Sequence, residues 1–270
     1  MTEQDGGRDA YVLDSVEAER ELNRIRAIEA DWGPKTARHL IELGIAPGWR
    51  CLEIGGGGGG VARWLAERVG LAGHVVATDI NTRFLDAIDL PNLEVRRHNI
   101  LTDEIEQGAF DVAHCRLLLL HLREPERVLE RMIGALRPGG ALLVEEPLGD
   151  FGRGDPAWPR AADYERASQK HVAGLQALGV DMSLGSRLPG ILTALGLVDV
   201  GGEVTAKVAR GGDSLIAKQR VGTAQALRPK MVAAGIATDA EIEEYIGLLT
   251  DPSRIVVEPS VISVWGRRAG

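Results

Sequence analysis

Glu53-Ile54-Gly55-Gly56-Gly57-Gly58-Gly59-Gly60, EIGGGGGG, sets six consecutive glycines directly behind a short apolar run, Arg50–Ile54. No residue loses more backbone freedom on folding than glycine, so the run is unfavourable unless something requires it. It is either a flexible linker or a loop that another group must approach closely. The flanks decide between the two. Gly60–Val69 carries Val61, Leu65 and Val69 on one helical face, and 74–78 is a second apolar run that ends in Asp79. A linker joins independent units, whereas this run lies inside a strand-to-helix turn. Glycines at such a turn let a backbone come close to a ligand and leave helix N–H groups free to meet it.

The same alternation continues outward. Strands are expected at Arg50–Ile54, 74–78, Leu93–Arg97, 110–115 and 141–145, and helices at Gly60–Val69, 82–88 and 125–136. Strand and helix in alternation mean βαβ units around a parallel sheet, with right-handed crossovers. Ahead of the sheet, Val12, Val16, Leu22, Ile25 and Ile28 predict a helix over 11–30, and Pro34 and Gly44 bracket a second over 34–43. Residues 1–9 are polar and expected to fray. Beyond Pro147 the alternation stops. Helices are expected over 161–178, 187–195 and most of 213–250, a strand over 197–209, and a last strand over 255–267 broken at Pro259. The organisation that follows is an N-terminal helical cover (1–43), a cofactor-binding core (44–147) and a helical lid insertion (148–185). A core helix and sixth strand (186–210), a second helical lid (211–250) and the last core strand (251–270) complete it.

A chain of 270 residues, 44% of them apolar, can bury a core of one large domain. Its formal net charge of −8 argues against a nucleic-acid backbone as the main partner. The two cysteines, Cys51 and Cys115, form no disulfide framework and no metal-ligand spacing, so no metal is expected and a reducing cytoplasm fits. The first 30 residues carry no secretory apolar stretch, and the longest apolar run, 117–120, is too short to cross a bilayer.

Asp79 lies twenty residues beyond Gly59, where a carboxylate can accept both hydroxyls of a ribose. Three details separate the loop from a nicotinamide site: Glu53 two residues before the first glycine, FDV at 110–112, and LRPGGALLVEE at 136–146. In this order the motifs resemble the class I S-adenosylmethionine-dependent methyltransferases, whose glycine loop runs E/D-x-G-x-G-x-G. Glu53, Gly55, Gly57 and Gly59 match it, and the resemblance covers residues 35–147. HCRLLLLHL (114–122) and the stretch 31–55 are similar to a bacterial, actinomycete-type branch acting on small molecules.

The resemblance implies an α/β fold: a Rossmann-like, doubly wound seven-stranded sheet, mostly parallel with an antiparallel last strand, plus helical lid additions. It implies S-adenosyl-L-methionine as cofactor and methyl transfer to an oxygen or nitrogen of a small, partly apolar metabolite; a homodimer is compatible with it. The backbone of Gly55, Gly56 and Gly57 would hold the methionine part and Glu53 would orient its ammonium. Asp79 would take the ribose hydroxyls, and Ile80 would lie against the adenine. Asn99, followed by Ile100, stands where the family has an Asp that accepts the adenine amino group; an uncharged acceptor there costs about 1 kcal/mol. Cys115 and Arg116 end the fourth strand, which faces the methyl group in the family.

Each role has a plainer alternative. Asp79 and Asn99 can cap the next turn, Arg116 can pair with a neighbouring acid, and Asp111 at a strand start suits a backbone bond. His121 reads more simply as a core or surface histidine than as a catalytic one. Glu146 and His171 are the candidate general bases, against a surface acid and a solvated helix position. Trp32, Trp158 and Tyr164 form either a pocket wall or plain core. Two other functions stay open. One is a protein that binds this cofactor without transferring methyl, as a regulator or as a cyclase using the sulfonium electrostatically. The other is an NAD-dependent oxidoreductase, although Tyr164 is followed by Ser168 and not by the Lys of a Tyr-x-x-x-Lys pair.

Overall fold

The computed structural model describes residues 18–270; the polar 1–9 and the first part of the helix expected over 11–30 lie outside the described residues. The two expected N-terminal helices run as one, α1 (Ala18–Glu42), with Pro34 inside it. Proline cannot donate the helical bond at that point, yet both halves are held. Leu40 of the second half, with Leu43 just beyond it, packs with Val61 and Leu65 of α2 (Gly60–Val69), and the first half lies over a cavity.

The main sheet has seven strands: β1 (Arg50–Ile54), β2 (His74–Asp79), β3 (Leu93–Arg97), β4 (Phe110–Arg116), β5 (Leu136–Pro147), β7 (Leu197–Thr205) and β10 (Val261–Arg268). Their order is β3-β2-β1-β4-β5-β10-β7, parallel except for β10, which is antiparallel to both its neighbours. This is the expected Rossmann-like sheet. Side chains alternate between its faces. Cys51, Val112 and Leu143 meet α1 and α2, whereas Leu52, Ala113 and Val144 meet α3 (Pro125–Ala135) and α5 (Leu184–Ala194). Chain order reverses between β1 and β4, which opens a crevice at the carboxyl ends of the strands.

Three expectations change. Residues 82–88 make turns, not a helix. The strand expected over 197–209 ends at Thr205 and restarts as β8 (Val208–Arg210), and the one expected over 255–267 divides into β9 (Ile255–Val257) and β10. β9 sits between β8 and the short β6 (Arg153–Gly154) in a second, three-stranded sheet. That sheet and the helices α4 (Ala161–Ala177), α6 (Leu215–Ala233) and α7 (Asp239–Leu249) enclose a separate core around Trp158, Tyr164, Leu227, Tyr245 and Val256. Among the described residues no helix is long and apolar enough to cross a membrane.

Candidate active site

The glycine run does two different jobs. Gly55, Gly57 and Gly59 have φ of +72°, +53° and +83°, a region that strains any side chain. Gly58 and Gly60 face α1 instead: a Cβ on Gly58 would lie 2.8 Å from Ile25 Cγ2, and one on Gly60 2.7 Å from Glu29 Cδ. Their missing side chains let α1 settle on the loop, where Glu29 Oε1 accepts the Gly60 N–H at 2.7 Å. A carboxylate at the start of α2 is favoured by the helix dipole. At Gly57 a Cβ would meet no protein atom nearer than 4.0 Å. Gly57 lines a cavity of about 490 Å³, so that Cβ would take space belonging to a ligand.

The carboxyl ends of β1, β2 and β4 floor this cavity, with residues 98–101 beyond β3; α1, α6 and residues of 175–182 roof it. Glu53, Gly55, Gly56, Gly57, Asp79, Ile80, Asn99, Ile100 and Arg116 all line it. Asp79 is pre-set by two backbone bonds, Gly57 N to Oδ2 and Asn81 N to Oδ1, each 3.0 Å. An ionised carboxylate has about four acceptor positions, so both oxygens can still take hydroxyls. Ile80 and Phe84 add apolar surface beside it. Asn99 Oδ1 accepts the Leu101 N–H at 3.0 Å, and the Asn99 N–H goes to Asp103 Oδ2 at 2.9 Å, so this side chain does cap its own turn. Together these groups fit an adenosyl-amino acid: Glu53 for an ammonium, open backbone at Gly57, Asp79 for a vicinal diol, and Ile80 with Phe84 for a flat base.

Three expected site residues are not on the cavity. Cys115 is fully buried in the core on the α3 side of the sheet, and burial pushes its thiol pKa far up. Glu146 follows Glu145 in β5, and alternation turns it to that same side; its Oε1 accepts the N–H groups of Leu118 (3.1 Å) and Leu119 (2.8 Å). His171 lines a different cavity, between α4, α6 and α7, stacked on Tyr245 at 4.7 Å. Burial and then Arg220 push its pKa down to about 3. Trp32, Trp158 and Tyr164 also lie off the 490 Å³ cavity, in apolar clusters. Asp111, read as structural, accepts the Arg50 N–H at 2.7 Å.

His121, read from the sequence as a core or surface histidine, is on the cavity. It ends the 3₁₀ turn Leu119–His121 after β4 and lines the cavity beside Leu120 and Leu122. Across from it α1 contributes Arg24, paired with Glu21 at 2.7 Å. Burial, then Arg24, pushes the His121 pKa down to about 4, so its imidazole is neutral at ordinary pH. The only signal in the sequence was its place, five residues beyond the end of β4.

Comparison with known proteins gives the same reading. A family described as "Methyltransferase domain" matches residues 17–178. Methyltransferase str2 of Strobilurus tenacellus is 31% identical over 186 residues, 68% of this chain and 65% of that protein. The ubiquinone/menaquinone biosynthesis C-methyltransferase UbiE of Ectopseudomonas mendocina is 36% identical over 118 residues, 40% of this chain and 46% of its own. The chain thus spans less than two thirds of these curated relatives. Among solved structures, phosphoethanolamine N-methyltransferase 2 of Haemonchus contortus, bound to phosphomonomethylethanolamine and S-adenosylhomocysteine, has the same fold. Its TM-score is 0.58 at 17% identity, over 97% of this chain and 60% of that one. The nicotinamide alternative finds no support here. A glycine loop preceded by Glu53, an Asp79 that closes β2 and a family match over most of the chain place it among the class I S-adenosylmethionine-dependent methyltransferases.

Proposed function

We propose that the chain transfers a methyl group to a hydroxyl oxygen of a small, largely apolar metabolite. The supporting observation is the neutral imidazole of His121 on a cavity that Leu120, Leu122, Leu175, Val180 and Leu227 also line, with the Arg24–Glu21 pair across from it. A hydroxyl must give up its proton as the oxygen–carbon bond forms, and this wall offers an acceptor for it. The bound cofactor supplies a methyl already activated on a sulfonium. The chain's main task is then positioning. Glu53 would hold the amino-acid end of the cofactor and Asp79 its ribose, Gly57 would leave room beside its backbone, and α1 and α6 would keep water out. Holding oxygen and methyl in line at about 3–3.5 Å supplies roughly 7–11 kcal/mol. His121 orients the hydroxyl and takes its proton. With a pKa near 4 it is a weak base, so its contribution falls at the low end of the usual range of about 10²–10⁴.

The test is a labelled-methyl assay on hydroxylated apolar metabolites, with His121→Gln beside the unaltered chain. Turnover is expected to fall about 100-fold, while calorimetry shows unchanged affinity for S-adenosylhomocysteine. Label appearing on nitrogen or carbon, as the names of the N- and C-methyltransferase relatives would suggest, would displace the oxygen assignment. Full activity of His121→Gln would remove His121 from the reaction.

A further inference from the structure

Glu53 is fixed from behind by a charged chain that runs through the sheet. Glu53 of β1 and His114 of β4 are in register, and His114 reaches Glu145 of β5 diagonally. His114 Nδ1 lies 2.6 Å from Glu53 Oε2, and Nε2 lies 3.2 Å from Glu145 Oε2. Exposure of the three residues is 3%, 0% and 0%. A neutral imidazole carries one N–H, whereas two carboxylates demand two, so the contacts call for an imidazolium. Burial opposes that charge, but Glu53 and Glu145 outweigh it and raise the His114 pKa to about 9. Glu145 is anchored in turn. Ser263 Oγ of β10 donates to its Oε1 at 2.7 Å, and Thr36 Oγ1 of α1 donates to its Oε2. Arg116 Nη1, on the cavity wall, donates to Thr36 Oγ1 at 3.0 Å.

Burying three charges inside a sheet is expensive, and apolar side chains of the same volume would often leave a fold more stable. Yet this layer is charged where it meets the ligand cavity and nowhere deeper: the neighbours Cys51, Val112 and Leu143 on the same face are apolar. A carboxylate has two oxygens. With Oε2 committed to His114, Glu53 can turn only Oε1 to a ligand, in one orientation. We propose that His114 is a positioning residue for the amino-acid end of the cofactor: it holds the Glu53 carboxylate in one orientation, and Glu145, Thr36 and Ser263 hold the imidazole in place. The proposal rests on the placement of the cofactor's ammonium at Glu53 and is independent of the acceptor assigned to His121.

The experiment compares two ligands by calorimetry, S-adenosylhomocysteine and 5′-methylthioadenosine, which keeps the nucleoside and thioether but lacks the amino acid. In His114→Gln, S-adenosylhomocysteine is expected to bind roughly 10- to 100-fold more weakly, with 5′-methylthioadenosine unchanged. In a Glu53→Gln background the His114 substitution should add little, because the two act as one unit. Equal loss for both ligands would make His114 merely structural and overturn the proposal. So would full additivity, or a Glu53→Gln loss that His114→Gln does not share; in the last case Glu53 keeps its own role. A Glu53→Gln protein that binds both ligands normally would remove the ammonium from Glu53 altogether. If His114→Gln does not fold, ¹⁵N-histidine spectra of the unaltered chain decide. A doubly protonated His114 at pH 8 whose signals move with S-adenosylhomocysteine but not with 5′-methylthioadenosine supports the proposal, and a neutral one refutes it.

Discussion

Glu146 carries a carboxyl with no use for a charge. It is fully buried, Oε1 accepts two backbone N–H groups, and Oε2 has no hydrogen-bond partner among the described residues. Burial pushes its pKa up to about 8. In the unfolded chain a glutamate ionises near pH 4.3. Between those values the folded chain holds a proton that the unfolded chain has lost, so stability falls as pH rises from about 4 to 8 and then levels off. Glu146→Gln copies the neutral acid and removes that slope. Urea denaturation should find the two proteins alike near pH 4.5 and the variant more stable at pH 8; a pH-independent difference would contradict the reading. Turnover should survive, since a lost base would cost roughly 10²–10⁴-fold. Legibility at this scale followed chain distance. Glu53, the glycines and Asp79 could be read because strand, turn and strand are consecutive. His114 could not, because its second partner lies diagonally across a strand pair and depends on register. His121 sits among leucines in sequence and His171 follows Gln169-Lys170, so local sequence favours neither as a site residue; only the fold sets one on the cavity and the other on a different one.

The element that answers for Gly58 and Gly60 is α1. Its first half rests on the loop through Ile25 and Glu29. Gly60→Ala would push the flexible end of Glu29 aside, which costs the fold little but breaks the bond to the Gly60 N–H. Hydrogen exchange in 21–29 should therefore quicken with little change in the unfolding midpoint, and a Glu29→Ala background should abolish the effect. Binding of cofactor and substrate together should slow exchange in 21–29, 175–182 and 219–227, which line the cavity, but not in α7, which does not. Protection confined to α7 would overturn the assignment of α1 and α6 as the cover. The expectation of lids over 148–185 and 211–250 followed from the end of the strand–helix alternation, which marks an insertion without saying which of its helices touches the site. Likewise Pro34 reads as the first turn of a second helix, and only packing on both sides carries α1 through it. Thr82 and its neighbours had helical spacing but were too few to outweigh turn bonds.

At the scale of the molecule, a buried ion pair flanking β9 holds the start of α6. Arg254, 0% exposed, donates to Glu258 Oε2 at 2.9 Å, and Glu258 Oε1 accepts from Ser214 Oγ, the N-cap of α6, at 2.7 Å. Removing one member leaves a buried charge alone, which costs about 3–5 kcal/mol. Arg254→Ala should lower the unfolding free energy by that order in denaturant titration; a loss below about 1 kcal/mol, typical of a surface pair, would show the pair is wet in solution. The order of strands has a different consequence, for how the protein is made. β5 is synthesised long before β10, yet β10 is its permanent neighbour, and β7 waits on the other side. While α4 to α7 are leaving the ribosome, the nascent chain already owns a finished glycine loop and an open seam along Leu142, Leu143 and Val144. An unpaired apolar strand edge is a template for another chain. A ribosome that stalls before Val261 thus releases a fragment able to recognise nucleoside but bound to stick, and chaperone contact should concentrate on that interval of translation.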